Sequence, residues 1–250
     1  MFNTDFSLAP LSSEAIAHYH KQGFVVLGRV VDEGTLEALR AEEARLREGR
    51  GQTSDLTIFL SQVANYSQVV RDFCTRGAHI KLAQQLVGPN LCLWFNQFVT
   101  KRPDAASNKS EFPWHQDNGY VAIEPATNVT IWIALDDVDE QNGCVWVMPK
   151  SHEQGLLDHR AKNADSWHLE VPVEGDGIPA LLKAGEAIAF SGLTLHRSKL
   201  NHTNRLRRAF FIEYAEASAS FREPNQKARP VIESGESFLV AGQLPWPPRD

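Results

Sequence analysis

The chain has 250 residues, 42% of them hydrophobic and 22% charged, with a net charge of −6. These values suit a globular protein with a sizeable core and exclude a general binder of nucleic acid or anionic membrane; no stretch is apolar enough to cross a bilayer. The three cysteines, Cys74, Cys92 and Cys144, are scattered and odd in number. Together with an N-terminus that lacks the basic start and apolar run of a secretory signal, they argue against a disulfide framework and for the reducing cytoplasm.

In chain order, the first ninety residues read as mostly helical. Glu14 to Gln22 forms a short helix that Gly23 stops, and FVVL at 24–27 reads as a strand. Asp32 can cap a helix running to about Arg50, with Leu36, Leu39 and Leu46 on its buried side. Helical segments continue from Val69 to Cys74 and from His79 to Val87, the second closing at Gly88. From Leu91 the period changes. LCLWFNQFVT, NVTIWIALDDV, CVWVMP, EAIAFSG and RAFFIEYA are short and rich in β-branched and aromatic residues. Turn signals stand at Pro103, Gln141-Asn142-Gly143, Gly175 to Gly177 and Gly185, with Asn142-Gly143 resembling a hairpin turn. Many short strands at this spacing predict a sandwich or jelly-roll barrel. The expected organisation is a single domain over 1–250: a mostly helical annex at 1–90, a β core at 91–216, and a C-terminal tail at 217–250, irregular from Pro224.

The chemistry concentrates in the core. Alternate side chains of an extended segment share one face, so His115 and Asp117 of Trp114-His115-Gln116-Asp117 can bind one metal ion. His196 opens a strand after EAIAFSGLTL and can face the same interior. Two imidazoles and one carboxylate are the set that holds non-haem Fe(II) on one face and leaves the other open. Arg207 begins an apolar strand, where a guanidinium is costly unless an anion meets it. The far carboxylate of a keto-acid cosubstrate would meet it bidentately. Together these residues point to an iron oxygenase using 2-oxoglutarate and O2. Each piece alone has a plainer explanation: a surface His/Asp pair, a core histidine bonded to backbone, a salt bridge at a barrel rim. Arg205 and Arg208 are rivals to Arg207, although Arg208 should face the opposite side. The other histidines lack a carboxylate partner in the sequence, with His18 and His20 on a helix face and His202 in a loop.

The chain resembles the phytanoyl-CoA dioxygenase family of Fe(II)/2-oxoglutarate oxygenases. The resemblance rests on W-H-Q-D at 114–117, on N-G-C-x-x-V-x-P-x-S-H at 142–152, and on H-x-S-x-x-N-x-T at 196–203 followed by Arg207. It implies a mainly β fold with α-helices, a double-stranded β-helix (jelly-roll or cupin-like) with N-terminal helices packed on one sheet. It makes His115, Asp117 and His196 the iron ligands and, as such, the catalytic residues. It assigns Arg207, helped by Ser198, to the distal carboxylate of 2-oxoglutarate, and makes Gln97 and Trp132 further cosubstrate contacts. Pro149 and His152 would shape a loop near the mouth. Because the metal carboxylate Asp117 is present, hydroxylation is expected rather than halogenation.

The expected reaction is hydroxylation of an unactivated C–H bond of a small or mid-sized metabolite, with release of succinate and CO2. Tyr120 and Asn118, just after the iron pair, are the candidate substrate contacts, and residues 102–111 could be a lid. No basic cluster argues for coenzyme A phosphates. The alternatives are a non-oxidative metal-dependent isomerase or hydrolase on a cupin-type barrel, or a non-catalytic binding barrel. The sequence carries no signal of oligomeric state.

Overall fold

The computed structural model describes residues 6–49, 56–104, 110–161, 168–223, 225–234 and 237–243. Its helices are α1 (Ser13–Gln22), α2 (Glu33–Gly49), α3 (Gln68–Arg76) and α4 (Ile80–Val87). The strands are β1 (Phe24–Arg29), β2 (Thr57–Ser61), β3 (Leu91–Lys101), β4 (Phe112–His115), β5 (Ala122–Glu124), β6 (Asn128–Ala134), β7 (Val145–Val147), β8 (Arg160–Ala161), β9 (Leu169–Glu170), β10 (Ile178–Pro179), β11 (Glu186–Ser191), β12 (His196–Ser198), β13 (Arg207–Glu216), β14 (Ser220–Arg222), β15 (Arg229–Pro230) and β16 (Phe238–Ala241).

The helix ends follow the local signals. The Asp32 carboxylate accepts the Thr35 backbone N–H at 3.0 Å and so caps α2. Gly23 sits at φ 86° behind α1, where its N–H closes on the Tyr19 carbonyl at 2.7 Å. A Cβ at Gly23 would lie 2.6 Å from both His152 Nδ1 and Thr194 Oγ1, so the position is closed to larger residues. Helices α3 and α4 have nine and eight residues, below the roughly 12–15 that can persist alone in water. Packing holds them: Phe73, Ile80, Leu82 and Leu86 join one buried cluster with Ile131, Phe210 and Ile212 of the large sheet.

That sheet is antiparallel, in the order β1-β11-β6-β13-β3-β16, with β2 also paired to β3. A four-stranded sheet, β10-β7-β12-β4, forms the second layer. From β3 to β13 the chain passes back and forth between them, with β3, β6, β11 and β13 in the large sheet and β4, β7, β10 and β12 in the small one. This is jelly-roll connectivity. No strand among the described residues pairs with both sheets, so the sandwich stays open and the barrel is not closed. Alternation sorts the side chains. Val129, Ile131 and Ile133 of β6 join the helix-side cluster, while Trp132 and Ala134 join Val145 and Val147 of the small sheet in a second one. On β13, Phe210, Ile212 and Tyr214 face the helices, which leaves Arg207, Ala209, Phe211 and Glu213 to face the interior.

Three local expectations are corrected. Residues 57–61, inside the segment expected to be helical, form β2 and extend the large sheet through β3. The apolar residues of this strand, Ile58, Phe59 and Leu60, are consecutive and show no alternation in the sequence; only in the structure do Ile58 and Leu60 take the buried face and Phe59 the other. The tail from Pro224, expected to be irregular, supplies β15 and β16, and β16 pairs with the start of β3. Asn142-Gly143 does not close a hairpin, because it lies between β6 and β7, which belong to different sheets. Its tightness has another cause: Gly143, at φ 82°, lies against the Lys199 carbonyl, 2.6 Å from where a Cβ would stand.

Candidate active site

Strand β4 ends at His115, and the chain turns into a 3₁₀ segment at Asp117. His196 is the first residue of β12 and the register partner of His115 across the small sheet. Donor atoms of His115, Asp117 and His196 all lie within 4.8 Å of one another. Asp117 Oδ1 is 3.4 Å from His196 Nε2 and 3.9 Å from His115 Nε2. Metal bonds of about 2.1 Å place neighbouring donors about 3 Å apart, so only small movements separate this cluster from a facial ligand set.

The surrounding hydrogen bonds fit the same use. His115 Nδ1 is 2.8 Å from the Pro113 carbonyl and His196 Nδ1 is 3.0 Å from the Thr194 carbonyl. A carbonyl only accepts, so each Nδ1 carries the proton and each Nε2 keeps its lone pair for a metal. Thr130 donates its hydroxyl to Asp117 Oδ2 at 2.7 Å, leaving Oδ1 for the cluster. Burial, reinforced by His196, holds the His115 imidazole well below its ordinary pKa. Burial pushes the Asp117 carboxyl up, but His196, His115 and Thr130 outweigh it and keep it below the usual range. A neutral imidazole and an ionised carboxylate are the forms a metal requires.

The cluster borders a cavity of about 330 Å³. Arg207, only 1% exposed, faces it, with Nε and Nη1 lacking any protein partner. Burial lowers this guanidinium to about 10. A buried charged fork without partners is a receptor for an anion. Trp132 lies under it, its ring centroid 5.6 Å from Arg207 Cζ, and Ser198 and Gln97 line the same cavity. Arg208 points the other way and is held bidentately by Asp136.

Tyr120 also lines the cavity, edge-on to His115 at 5.7 Å between ring centroids. Asn118 does not. It is buried away from the cavity, accepting from Asn128 and donating to the Ile123 carbonyl, because the turn after Asp117 rotates it off the metal-facing side. His152 bonds the His20 carbonyl at the end of α1 and is likewise outside the cavity lining. Residues 105–109 of the candidate lid lie outside the described residues, although Asp104 and Ser110 on either side are joined by a hydrogen bond of 2.8 Å.

Sequence reasoning missed four contributors. Thr130 looks like any β-branched strand residue. His159 is remote in sequence, yet its Nε2 accepts the Gln116 backbone N–H between His115 and Asp117 at 2.9 Å. Lys101, the register partner of Arg207, is fully buried and donates to the Ser198 and Lys199 carbonyls; burial and Arg207 hold its amine well below the usual range. Glu213 lines the cavity, and burial with the Asp117 charge raises it to about 8. The inward alternation of Arg207, Phe211 and Glu213 was the available signal for Glu213.

The family model for phytanoyl-CoA dioxygenase matches residues 19–209. The chain belongs to the phytanoyl-CoA dioxygenase family. It is therefore an Fe(II)- and 2-oxoglutarate-dependent dioxygenase that also uses O2. The peroxisomal phytanoyl-CoA dioxygenase of Bos taurus is 25% identical over 252 residues, covering 89% of this chain and 74% of the relative. That of Rattus norvegicus is 26% identical over 269 residues, covering 94% and 79%. The non-heme alpha ketoglutarate dependent carbocyclase SnoK from nogalamycin biosynthesis superposes with a TM-score of 0.76 at 22% identity, over 92% of this chain and 97% of that one. EvdO2 from Micromonospora carbonacea var. aurantiaca, complexed with 2-oxoglutarate, superposes at 0.70 and 18% identity, over 90% and 97%. At these identities the structural likeness is one of fold.

Proposed function

We propose that His115, Asp117 and His196 hold Fe(II), that Arg207 receives the distal carboxylate of 2-oxoglutarate, and that the enzyme hydroxylates a C–H bond of a small metabolite with release of succinate and CO2. The observation that carries this reading is the convergence of three donor atoms on a cavity that also receives the partnerless nitrogens of buried Arg207. When bound, the iron supplies activation of O2 coupled to oxidative decarboxylation of the cosubstrate. The protein's own residues bind, orient and exclude water. Ser198 and Gln97 border the space between the metal cluster and Arg207, and Trp132 walls the guanidinium. Tyr120 stands beside His115 on the substrate side.

Substrate size follows from volume. A cavity of about 330 Å³ is at the small end of ligand pockets, roughly 300–1,000 Å³, and it must also take the cosubstrate. The curated relatives are named for an acyl-CoA substrate. Here a compact metabolite fits better than a long chain carrying coenzyme A. We read the chain as one domain, because helices and large sheet share one apolar cluster. We place it in the cytoplasm, in keeping with the free buried thiols of Cys74, Cys92 and Cys144. No helix among the described residues is long and apolar enough to cross a membrane.

Replacing Asp117 with alanine tests the assignment. The variant should lose tight Fe(II) binding and all 2-oxoglutarate-dependent succinate formation. Iron binding and succinate release at wild-type levels would move the metal site elsewhere.

A further inference from the structure

The cavity has two chemically opposite ends, and the second is not used by iron or cosubstrate. Arg207 and Glu213 both face inward from β13. They are six residues apart, about 20 Å of strand at about 3.3 Å per residue. The wall is aromatic at the Glu213 end, where Phe95 is level with Glu213, Trp94 is the next residue of β3, Phe211 is two residues along β13 and Tyr120 stands edge-on to His115, all of them lining the cavity. Phe95 is the direct register partner of Glu213 on one side, and Thr130, which bonds Asp117, is its partner on the other. The Glu213 carboxyl therefore stands one cross-strand pair from the metal carboxylate.

Its position is fixed. Asn128 Nδ2 donates to Glu213 Oε1 and, at 2.7 Å, to Asn118 Oδ1, which uses both of its hydrogens. Among the described residues Glu213 Oε2 has no hydrogen-bond partner. No cation among the described lining residues is available to it. Arg207 lies at the far end, and the guanidinium of Arg197, the other lining cation, stacks on Trp114 at 4.6 Å and bonds Asp176 at 2.8 Å. An anchored, desolvated carboxyl among aromatic faces, without a counter-ion, is complementary to a ligand cation. Ring faces attract it, and a cation beside the buried carboxyl favours its ionisation and then pairs with it.

Building on the iron and 2-oxoglutarate reading above, we propose that Glu213 is the specificity-determining residue of the substrate pocket and that the substrate presents a protonated amine to it. The amine seats against Glu213 and the aromatic wall, which holds the neighbouring carbons towards the His115–Asp117–His196 cluster. The same geometry disfavours a substrate that brings a carboxylate to this end, because the Asp117 charge repels it and no free cation among the described lining residues receives it.

The test uses three matched probes, 3-phenylpropylamine, 3-phenylpropanol and 3-phenylpropionate, added to anaerobic full-length protein loaded with Fe(II) and 2-oxoglutarate. Binding is read by quenching of tryptophan fluorescence, and the visible Fe(II)–2-oxoglutarate absorption is recorded in the same samples. Wild type should bind the amine at least about tenfold more tightly than the carboxylate, with the alcohol between. Glu213→Gln, which keeps the shape and an acceptor for Asn128, should bring the three within about threefold, and Glu213→Leu should do the same. No measurable amine binding at millimolar concentration, equal binding of the carboxylate, or an amine preference that survives in both variants overturns the proposal. If the visible absorption is present in those samples, the failure belongs to Glu213 alone. If it is absent from wild type, the iron and 2-oxoglutarate reading fails, and the proposal with it.

Discussion

Replacing Arg207 with methionine should have opposite effects on cosubstrate binding and on the stability of the unliganded protein. Arg207 is buried, and Nε and Nη1 have no protein partner. Burial lowers its pKa from 12.5 to about 10, equivalent to about 3 kcal/mol spent keeping the charge in the folded state. Methionine fills most of the space without the charge, so the ligand-free variant should unfold no lower than wild type and up to several degrees higher. Losing one partner of a buried charged pair costs about 2–5 kcal/mol, so 2-oxoglutarate affinity should fall roughly 30-fold to several thousand-fold. Thermal unfolding with and without 2-oxoglutarate, in the presence of Mn(II) in place of iron, reads both effects together. Wild type should gain stability on adding 2-oxoglutarate, and the variant should gain none at the same concentration. A variant that keeps wild-type affinity, or that melts several degrees lower when unliganded, would refute the assignment of Arg207 as an anion receptor held ready without a protein partner.

Two further outcomes follow from the hydrogen bonds and burial around the cluster. Thr130→Val removes the donor to Asp117 Oδ2 while keeping the strand's shape, and should weaken Fe(II) binding about 10–100-fold with little change in fold; unchanged affinity in a metal titration would show that this bond does not orient the ligand. Glu213 has a pKa of about 8 in the folded protein against 4.5 in a free side chain, so between those values the folded state retains a proton that the unfolded state releases. By linkage, metal-free wild type should lose a few kcal/mol relative to Glu213→Gln as pH rises through that window. Denaturant unfolding at a series of pH values checks it, and a constant difference between the two proteins would contradict it.

What could be read from the sequence was set by locality. The His115/Asp117 pair, the Gly23 stop and the Asp32 cap depend on neighbours within a few residues, and long apolar strands such as 128–134 declare their period. The joint spacing of the motifs at 114–117, 142–152 and 196–207 carried the family. Short elements were hidden. Strand 57–61 has three consecutive apolar residues and no alternation to read, and the tail strands become visible only once β5 and β3 offer edges to pair with. Asn118 follows Asp117 directly, yet the 3₁₀ turn, invisible as a pattern, rotates it into the Asn128 network. Lys101 and His159 act through partners about 97 and 43 residues away, distances over which only the fold brings side chains together.

The account rests on one chelate held by one cavity, and the most direct measurement is anaerobic addition of Fe(II) to the metal-free protein with and without 2-oxoglutarate, followed by visible absorption. The account predicts a metal-to-ligand charge-transfer band that requires both components, is lost in Asp117→Ala, and needs far more 2-oxoglutarate in Arg207→Met. A band absent from wild type, or one that forms equally in both variants, would contradict it.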